Sequence, residues 1–306
     1  MSGRGIVILG IFVADLAFRA GRLPLIGETI EGAGFKMGPG GKGSNQAVAA
    51  ARSGGAVTII TRLGADEFGR LARDTWAADG ITAAVTESTQ PTGAAFIYVD
   101  TGTGDNAIIV VPGAASEISI ADIDASAGDI RSAGVFLTQL EQPVAAARRG
   151  LEIAHSAGVA TILNPAPAQP LDDAIYALCD YVTPNETEAA ALTGISVSTV
   201  DDARRAGDVL LAKGAGTALI TLGAAGSLLH TRGSSVHIPP YDAGPAVETA
   251  GAGDAFNGAF AAALTSGRSA LDAAHFASAA AGLSVTRPGT APSMPGLGEI
   301  TALLEA

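Results

Sequence analysis

VFLTQLEQPVAAARRGLEIAHSAGVATIL, residues 135–163, carries the pattern that decides the fold. Val135–Leu140 and Ala160–Leu163 are short apolar runs of strand character, and the Ala-rich segment Val144–Ser156 between them has helical length and spacing. A strand, a helix and a second strand in that order make a crossover unit, which places the two strands parallel. The same alternation extends outward. Val57–Arg62, Tyr181–Thr183 and Leu219–Leu222 read as further strands, and Ile6–Leu9 as the first. Asp66–Ala78, Asp201–Lys213, Asp254–Thr265 and Ser269–Val285 read as helices. The fold class is α/β: a doubly wound, mostly parallel sheet flanked by helices.

Two segments break the alternation. Leu16–Lys36 is Gly-rich with scattered strand residues, and Thr92–Val111 has two strand runs around Asp100-Thr101-Gly102-Thr103-Gly104-Asp105. Both read as antiparallel hairpins that pair into a small sheet over one edge of the main body. Without a repeat or a linker, residues 1–306 are expected to form one domain, with insertions at about 14–40 and 92–112.

Composition narrows the function. A chain of 306 residues that is 48% hydrophobic and 16% charged can bury a large core. A formal net charge of −12 repels a phosphate backbone, so no nucleic-acid partner is expected. One cysteine, Cys179, cannot form an internal disulfide, and His155, His230, His237 and His275 share no zinc-ligand spacing with it. Arg4 followed by the run Ile6–Leu9 is too brief for a signal peptide, and no stretch has the roughly 18 apolar residues of a membrane span. The expected location is the cytoplasm.

Four segments and two isolated acids can bear chemistry. Glu248-Thr249-Ala250-Gly251-Ala252-Gly253-Asp254 opens a helix whose Phe256, Phe260 and Leu264 repeat at helical spacing. Glycines there let backbone N–H groups converge on an anion, and an aspartate at that point can reach an attacking hydroxyl. A plain N-cap role for Asp254 gives the same sequence. Gly38-Pro39-Gly40-Gly41-Lys42-Gly43-Ser44-Asn45-Gln46 leads into a helical stretch, Ala47–Ala51, and brings Lys42 and Asn45 close to a polyhydroxylated ligand. Alternatives are a glycine turn before a helix, and a nicotinamide dinucleotide fingerprint at Gly38, Gly40 and Gly43. Thr183-Pro184-Asn185-Glu186-Thr187-Glu188 puts an amide and two acids at a strand's carboxyl end, although Asn185 with Glu188 is also a capping box. Asp15, closing the first strand, and Glu141, closing Val135–Leu140, are either helix caps or grips for sugar hydroxyls. Thr221-Leu222-Gly223-Ala224-Ala225-Gly226 ends a strand in a glycine loop that suits a nucleotide or an ordinary turn.

In this order the segments resemble the ribokinase family of carbohydrate kinases from about Ile6 to Ser293. The signature Gly40-Gly41-Lys42-Gly43-Ser44-Asn45-Gln46-Ala47 is similar to the family's first motif, and Gln139-Leu140-Glu141, Asn164-Pro165-Ala166-Pro167 and Thr183–Glu188 to others. The resemblance implies a ribokinase-like fold whose hairpins form a β-sheet lid that commonly serves as a dimer contact. It implies Asp254 as catalytic base and the backbone of Ala252, Gly253 and Asp254 as the anion hole, with Gly251 also among the catalytic residues. Asp15, Gly41, Lys42, Gly43, Asn45, Glu141 and Asp254 match sugar-binding positions; Asn185, Thr221, Gly223, Gly226, Gly253 and Ser278 match the ATP site. Glu188 matches the acid associated with Mg²⁺; Glu248, Ala250, Ser284, Arg287, Gly289 and Ser293 match a monovalent-cation (K⁺) site. The implied partners are MgATP and D-ribose, phosphorylated at its 5-hydroxyl. Three positions depart from the family: Val13 replaces a sugar-contacting asparagine, Glu248 an aspartate of the cation site, and Ser278 a larger residue beside the adenine. Val13 keeps deoxyribose, a ketose or a nucleoside open as substrate. Outside sugar kinases, the residues leave a nicotinamide-dependent oxidoreductase or a non-catalytic sugar or nucleotide sensor.

Overall fold

Val135–Thr138 and Ala160–Leu163 lie side by side as parallel strands joined through the helix Val144–Ser156. The computed structural model describes residues 5–306, so Arg4 lies outside the described residues. The chain begins with β1 (Ile6–Leu9), β2 (Val13–Ala20), β3 (Gly34–Gly40), α1 (Lys42–Arg52), β4 (Val57–Gly64), α2 (Glu67–Ala78), β5 (Thr82–Ser88), β6 (Thr92–Asp100) and β7 (Asn106–Gly113). It continues through α3 (Ile120–Ala125), α4 (Ala127–Ser132), β8 (Val135–Thr138), α5 (Val144–Ser156), β9 (Ala160–Leu163), β10 (Tyr181–Val182), α6 (Glu186–Thr193) and α7 (Val200–Ala212). The last part holds β11 (Thr217–Thr221), β12 (Ser227–His230), β13 (Ser235–Ile238), α8 (Ala252–Thr265), α9 (Ala270–Ser284) and α10 (Leu297–Glu305).

Nine strands form the main sheet in the order β13-β12-β11-β10-β9-β8-β1-β4-β5. Pairing is parallel except where β12 and β13 turn back as an antiparallel hairpin. From β1 the chain winds one way through β4 and β5, then returns to β8 and winds the other way, so the order reverses beside β1. Open α/β sheets bind ligands at such a switch point, at the carboxyl ends of the strands. One apolar cluster, with Trp76, Phe256, Phe260 and Phe276, fills the face under α1, α2, α8, α9 and α10. A second, with Ile123, Ile130, Leu151 and Leu210, fills the opposite face.

The two hairpins pair into a four-stranded sheet ordered β3-β2-β6-β7, in which β2 and β6 run parallel. Directly opposed residues of a sheet share a face. The rows Phe35, Phe18 and Tyr98, and Met37, Leu16, Phe96 and Ile109, therefore stand on one side. Gly38, Asp15, Ala95 and Val110 stand on the other. Asp15 is thus part of this second sheet; the expected position at the end of the first strand is wrong, because β1 stops at Leu9.

Other boundaries differ for local reasons. Helix α1 starts at Lys42, not Ala47, because Ser44, Asn45 and Gln46 are buried polar residues of its first turns rather than loop. Strand β8 stops at Thr138, and Leu140 N–H leaves the sheet to donate to the Ala166 carbonyl.

Candidate active site

Asp254 sits at the third position of α8, and it does not cap that helix. The N-cap is Gly251 at φ 85°, without a side-chain cap hydrogen bond. Asp254 is 6% exposed, and its carboxylate instead faces α1: Oδ2 accepts from Asn45 Nδ2 at 3.0 Å and Oδ1 from Gln46 Nε2 at 2.9 Å. The simple capping role is therefore excluded. Ala252 N–H donates to Thr249 within the turn, at 3.3 Å. Gly253 and Asp254 N–H have no partner among the described residues, and they stand where the helix dipole concentrates positive potential.

Around this point lies a cavity of about 140 Å³, lined by Lys42, Asn164, Ala166, Thr183, Asn185, Glu188, Thr221, Gly251, Gly253, Asp254 and Asn257. Each lining group comes from a strand's carboxyl end or from the start of a helix. Lys42 opens α1 after Gly41, whose φ of 87° and 2.6 Å approach of its Cβ direction to the Ile11 carbonyl exclude other side chains. Lys42 N–H donates to Glu141 Oε2 at 2.8 Å, so Glu141 caps α1 from the end of β8. The capping reading of Glu141 holds, and the same acid feels the charge of Lys42. Asn185 and Glu188 likewise form their capping box, with reciprocal bonds of 2.9 and 2.8 Å, while lining the cavity.

The titrating groups form one coupled set. Burial pushes Glu141 up to about 7; Lys42 and its N–H oppose the rise, and Asp254 and Asp15 add to it. Burial and the charges of Asp254 and Glu248 push Asp15 up to about 6. Glu188 is raised chiefly by burial, and so is Asp254 despite Lys42, Asn45 and Gln46 acting to hold it down. Burial acts to lower Lys42, but Asp254, Glu141 and Glu188 together outweigh it and hold the ammonium above its ordinary value. A cleft in which burial and specific charges displace several acids has the electrostatic character of a catalytic centre.

The supporting network includes residues to which sequence reasoning gave no role. Gln139 donates to Gln46, Gln46 to Asp254 and Asn164, Asn164 to the Thr183 carbonyl, and Thr183 Oγ1 to Asn257, which donates to the Gly253 carbonyl. The available signal is their placement: each is an amide or hydroxyl at a strand end or in the first turns of an Ala-rich helix, where an apolar residue is expected.

Other expected positions fall into two groups. Gly223 and Gly226, both at positive φ, flank the turn after β11, and Ser278 on α9 lies 3.2 Å from Ser227 across that loop's exit, outside the cavity lining. The second group forms a strap beside α8. Glu248 Oε2 accepts from Gly289 N–H at 2.8 Å, and the N–H groups of Val247 and Glu248 donate to the Val285 carbonyl. Ser284 and Ser293 donate their hydroxyls to the Ala281 and Thr290 carbonyls, and Arg287 pairs with Glu299. Ala250 lies in the turn before Gly251. Thr290 Oγ1 donates to the Pro39 carbonyl at 3.2 Å, joining the strap to the small sheet. The dinucleotide alternative fails: Gly38 and Gly40 lie in antiparallel β3, not in a turn after a parallel strand.

Residues 4–297 match the model of the pfkB family carbohydrate kinase. The chain belongs to the pfkB family of carbohydrate kinases. It is 39% identical to the ribokinase of Haemophilus influenzae over 302 residues, covering 98% of each chain. It is 36% identical to the deoxyribokinase of Salmonella typhi, again over 98% of each. Among solved structures, the Arabidopsis thaliana ribokinase complexed with ribose and ATP superposes with a TM-score of 0.93 at 31% identity, covering 99% of both chains. Thermotoga maritima ribokinase gives 0.91 at 34%, covering 99% of this chain and 100% of that one. As a pfkB-family member with a ribokinase-like fold, the protein is a sugar phosphotransferase. No helix among the described residues is long and apolar enough to cross a membrane.

Proposed function

We propose that this chain transfers the γ-phosphate of ATP to the 5-hydroxyl of D-ribose, giving D-ribose 5-phosphate and ADP. The observation that carries the reading is Asp254, buried at the uncapped head of α8 and held by two amide donors inside the cavity. Ribose lies under the small sheet, which serves as a lid, with Asp15, Gly41, Lys42, Gly43, Asn45 and Glu141 around its hydroxyls. Asn45 Oδ1 is buried without a partner among the described residues, which suits a hydroxyl donor. ATP extends along Asn185, Thr221, Gly223 and Gly226 toward Ser278. Asp254 takes the hydroxyl proton as the 5-oxygen bonds the γ-phosphorus, and the bond to the β,γ-bridging oxygen breaks to release ADP. The N–H groups of Gly253 and Asp254, with Lys42, face the charge that grows on the transferring group.

No three His, Cys, Asp or Glu side chains gather into a metal cluster among the described residues. That fits Mg²⁺ arriving with the nucleotide, because Mg²⁺ keeps waters and phosphate oxygens and needs only one or two carboxylates, here Glu188. Bound there, it would neutralise phosphate charge. K⁺ would be held at the strap by Glu248 with Ala250, Ser284, Arg287, Gly289 and Ser293; the Glu248 carboxylate already lies against that loop through Gly289. The proposed setting is the cytoplasm, in keeping with the lone, buried Cys179, and the proposed assembly is a homodimer through the lid.

A second sugar has a specific observation behind it. Val13 is buried and apolar where a polar sugar contact is expected, and a deoxyribokinase is among the relatives. A site without that contact loses little when a hydroxyl is missing from its ligand. The deciding assay measures ADP release on D-ribose, 2-deoxy-D-ribose and ketoses, with and without K⁺; silence on every sugar refutes the kinase reading. Asp254→Asn should bind sugar and ATP normally while kcat falls roughly 10²- to 10⁴-fold. Near-normal turnover in that variant would remove Asp254 as the base.

A further inference from the structure

We propose that Gln139 is a positioning residue that, by pairing the Gln46 oxygen, holds the amino end of the Gln46 amide firmly against Asp254. The inference rests on the reading of Asp254 as catalytic base. A glutamine side chain has a donor end and an acceptor end of nearly equal shape, and its neighbours decide between them. Here two groups at the far end of the network accept only. The Thr183 carbonyl accepts from Asn164 Nδ2 at 2.9 Å, which turns Asn164 Oδ1 toward Gln46. The Asp254 carboxylate accepts from the same Gln46 Nε2, at 2.9 Å. Both partners therefore require the amino end of Gln46, whose oxygen is left pointing at Gln139. Gln139 Nε2 supplies the matching donor at 2.5 Å.

Gln139 is itself held in place. It is 0% exposed and its backbone carbonyl accepts from Gln142 Nε2 at 2.6 Å; its Oε1 is buried without a partner among the described residues, so burial and the bond to Gln46 are what hold the side chain. It is absent from the cavity lining, so its influence on the reaction passes through Gln46. Without Gln139, the Gln46 oxygen is buried and unpaired. Rotation gives no relief, because it would set an oxygen against both the Asp254 carboxylate and Asn164 Oδ1, so the cost of the orphaned oxygen instead weakens the hold of Gln46 on the base. A carboxylate held by one amide rather than two is less well aimed at the hydroxyl it deprotonates.

The test is a double-mutant cycle read in sugar-dependent ADP release. Gln139→Met fills the space and removes the donor; kcat should fall about tenfold, the equivalent of one hydrogen bond to a charged group, while the sugar and ATP KM values stay within about twofold. Gln46→Leu should cost at least as much. In the Gln46→Leu background, Gln139→Met should cost nothing further, because the group it holds is gone. Additive losses would show that Gln139 acts elsewhere and overturn the proposal, as would an unchanged kcat in Gln139→Met. Thermal melts of all four proteins separate loss of fold from loss of turnover. If Gln139→Met fails to fold, Gln139→Ser, which cannot reach Gln46, takes its place in the same cycle. A wild-type chain inactive on every sugar refutes the underlying kinase reading and this inference with it, whereas an active wild type with an additive cycle refutes this inference alone.

Discussion

Glu141 and Asp15 are acids whose burial makes ionisation costly, and that cost has a sign. Folded Glu141 keeps its proton up to about 7, whereas the unfolded chain releases it near the ordinary 4.5. Between those values the folded state binds more protons, so stability falls as pH rises. Asp15, raised to about 6, acts in the same direction over a lower window. Asp122 opposes them at acid pH. Burial would raise it, but Arg62 and Ser119 bring it down to about 2, and its contribution is lost only as pH falls below about 4. The ligand-free protein should therefore melt at a higher temperature at pH 5.5 than at pH 7.5. Glu141→Gln, which can still accept from Lys42 N–H, should flatten that difference; an undiminished slope would contradict the assignment. Asp254, Lys42 and Asn45 were legible in the sequence because glycines mark where backbone approaches a ligand. Gln46, Gln139 and Asn257 were not, since an amide in a helix or after a strand looks the same whether it faces solvent or a buried carboxylate.

Helices α1 and α8 bring the two halves of the site together. Their contact is possible because Gly258 has no side chain: a Cβ there would come within 2.4 Å of the Gln46 carbonyl and 2.6 Å of Ala49 Cβ. Both obstacles belong to α1, one of them backbone, so the helices must part. Gly258→Ala should destabilise by about 1–3 kcal/mol, the usual cost of overpacking. It should also reduce kcat, because the same displacement draws Asn45 and Gln46 away from Asp254. A variant with wild-type melting temperature and turnover would show that the helices yield elsewhere. The elements of the parallel sheet could be read from alternation alone, as at residues 135–163. Strand β5, with small and polar residues Thr82–Ser88 at an edge, and the short hairpin β12–β13 could not, because neither has a continuous apolar run.

At the level of the whole molecule, the four-stranded sheet separates two chemistries onto two faces. One carries Asp15 toward the site. The other carries Phe18, whose ring centroid lies 4.9 Å from that of Phe35 and 5.7 Å from that of Phe96, with Met37 and Ile109 beside them. All five of these side chains are exposed, Ile109 at 66% and Phe35 at 59%. A contiguous apolar surface of this kind on a chain of net charge −12 marks an interaction site. A second copy is the proposed occupant, and the edges of β3 and β7, unpaired among the described residues, offer hydrogen bonds to it. Light scattering after size exclusion should then give twice the 30.2 kDa chain mass. Phe35→Lys with Ile109→Lys should give the single-chain mass, because each buried ammonium in a symmetric contact would meet its own copy or an apolar wall. Since Pro39 of β3 is tied to Thr290, and Asp15 is one strand away, the monomeric variant should also show a raised sugar KM while its ATP KM stays unchanged. Dimers that persist in the double variant would move the contact to another surface and leave this face to a different partner.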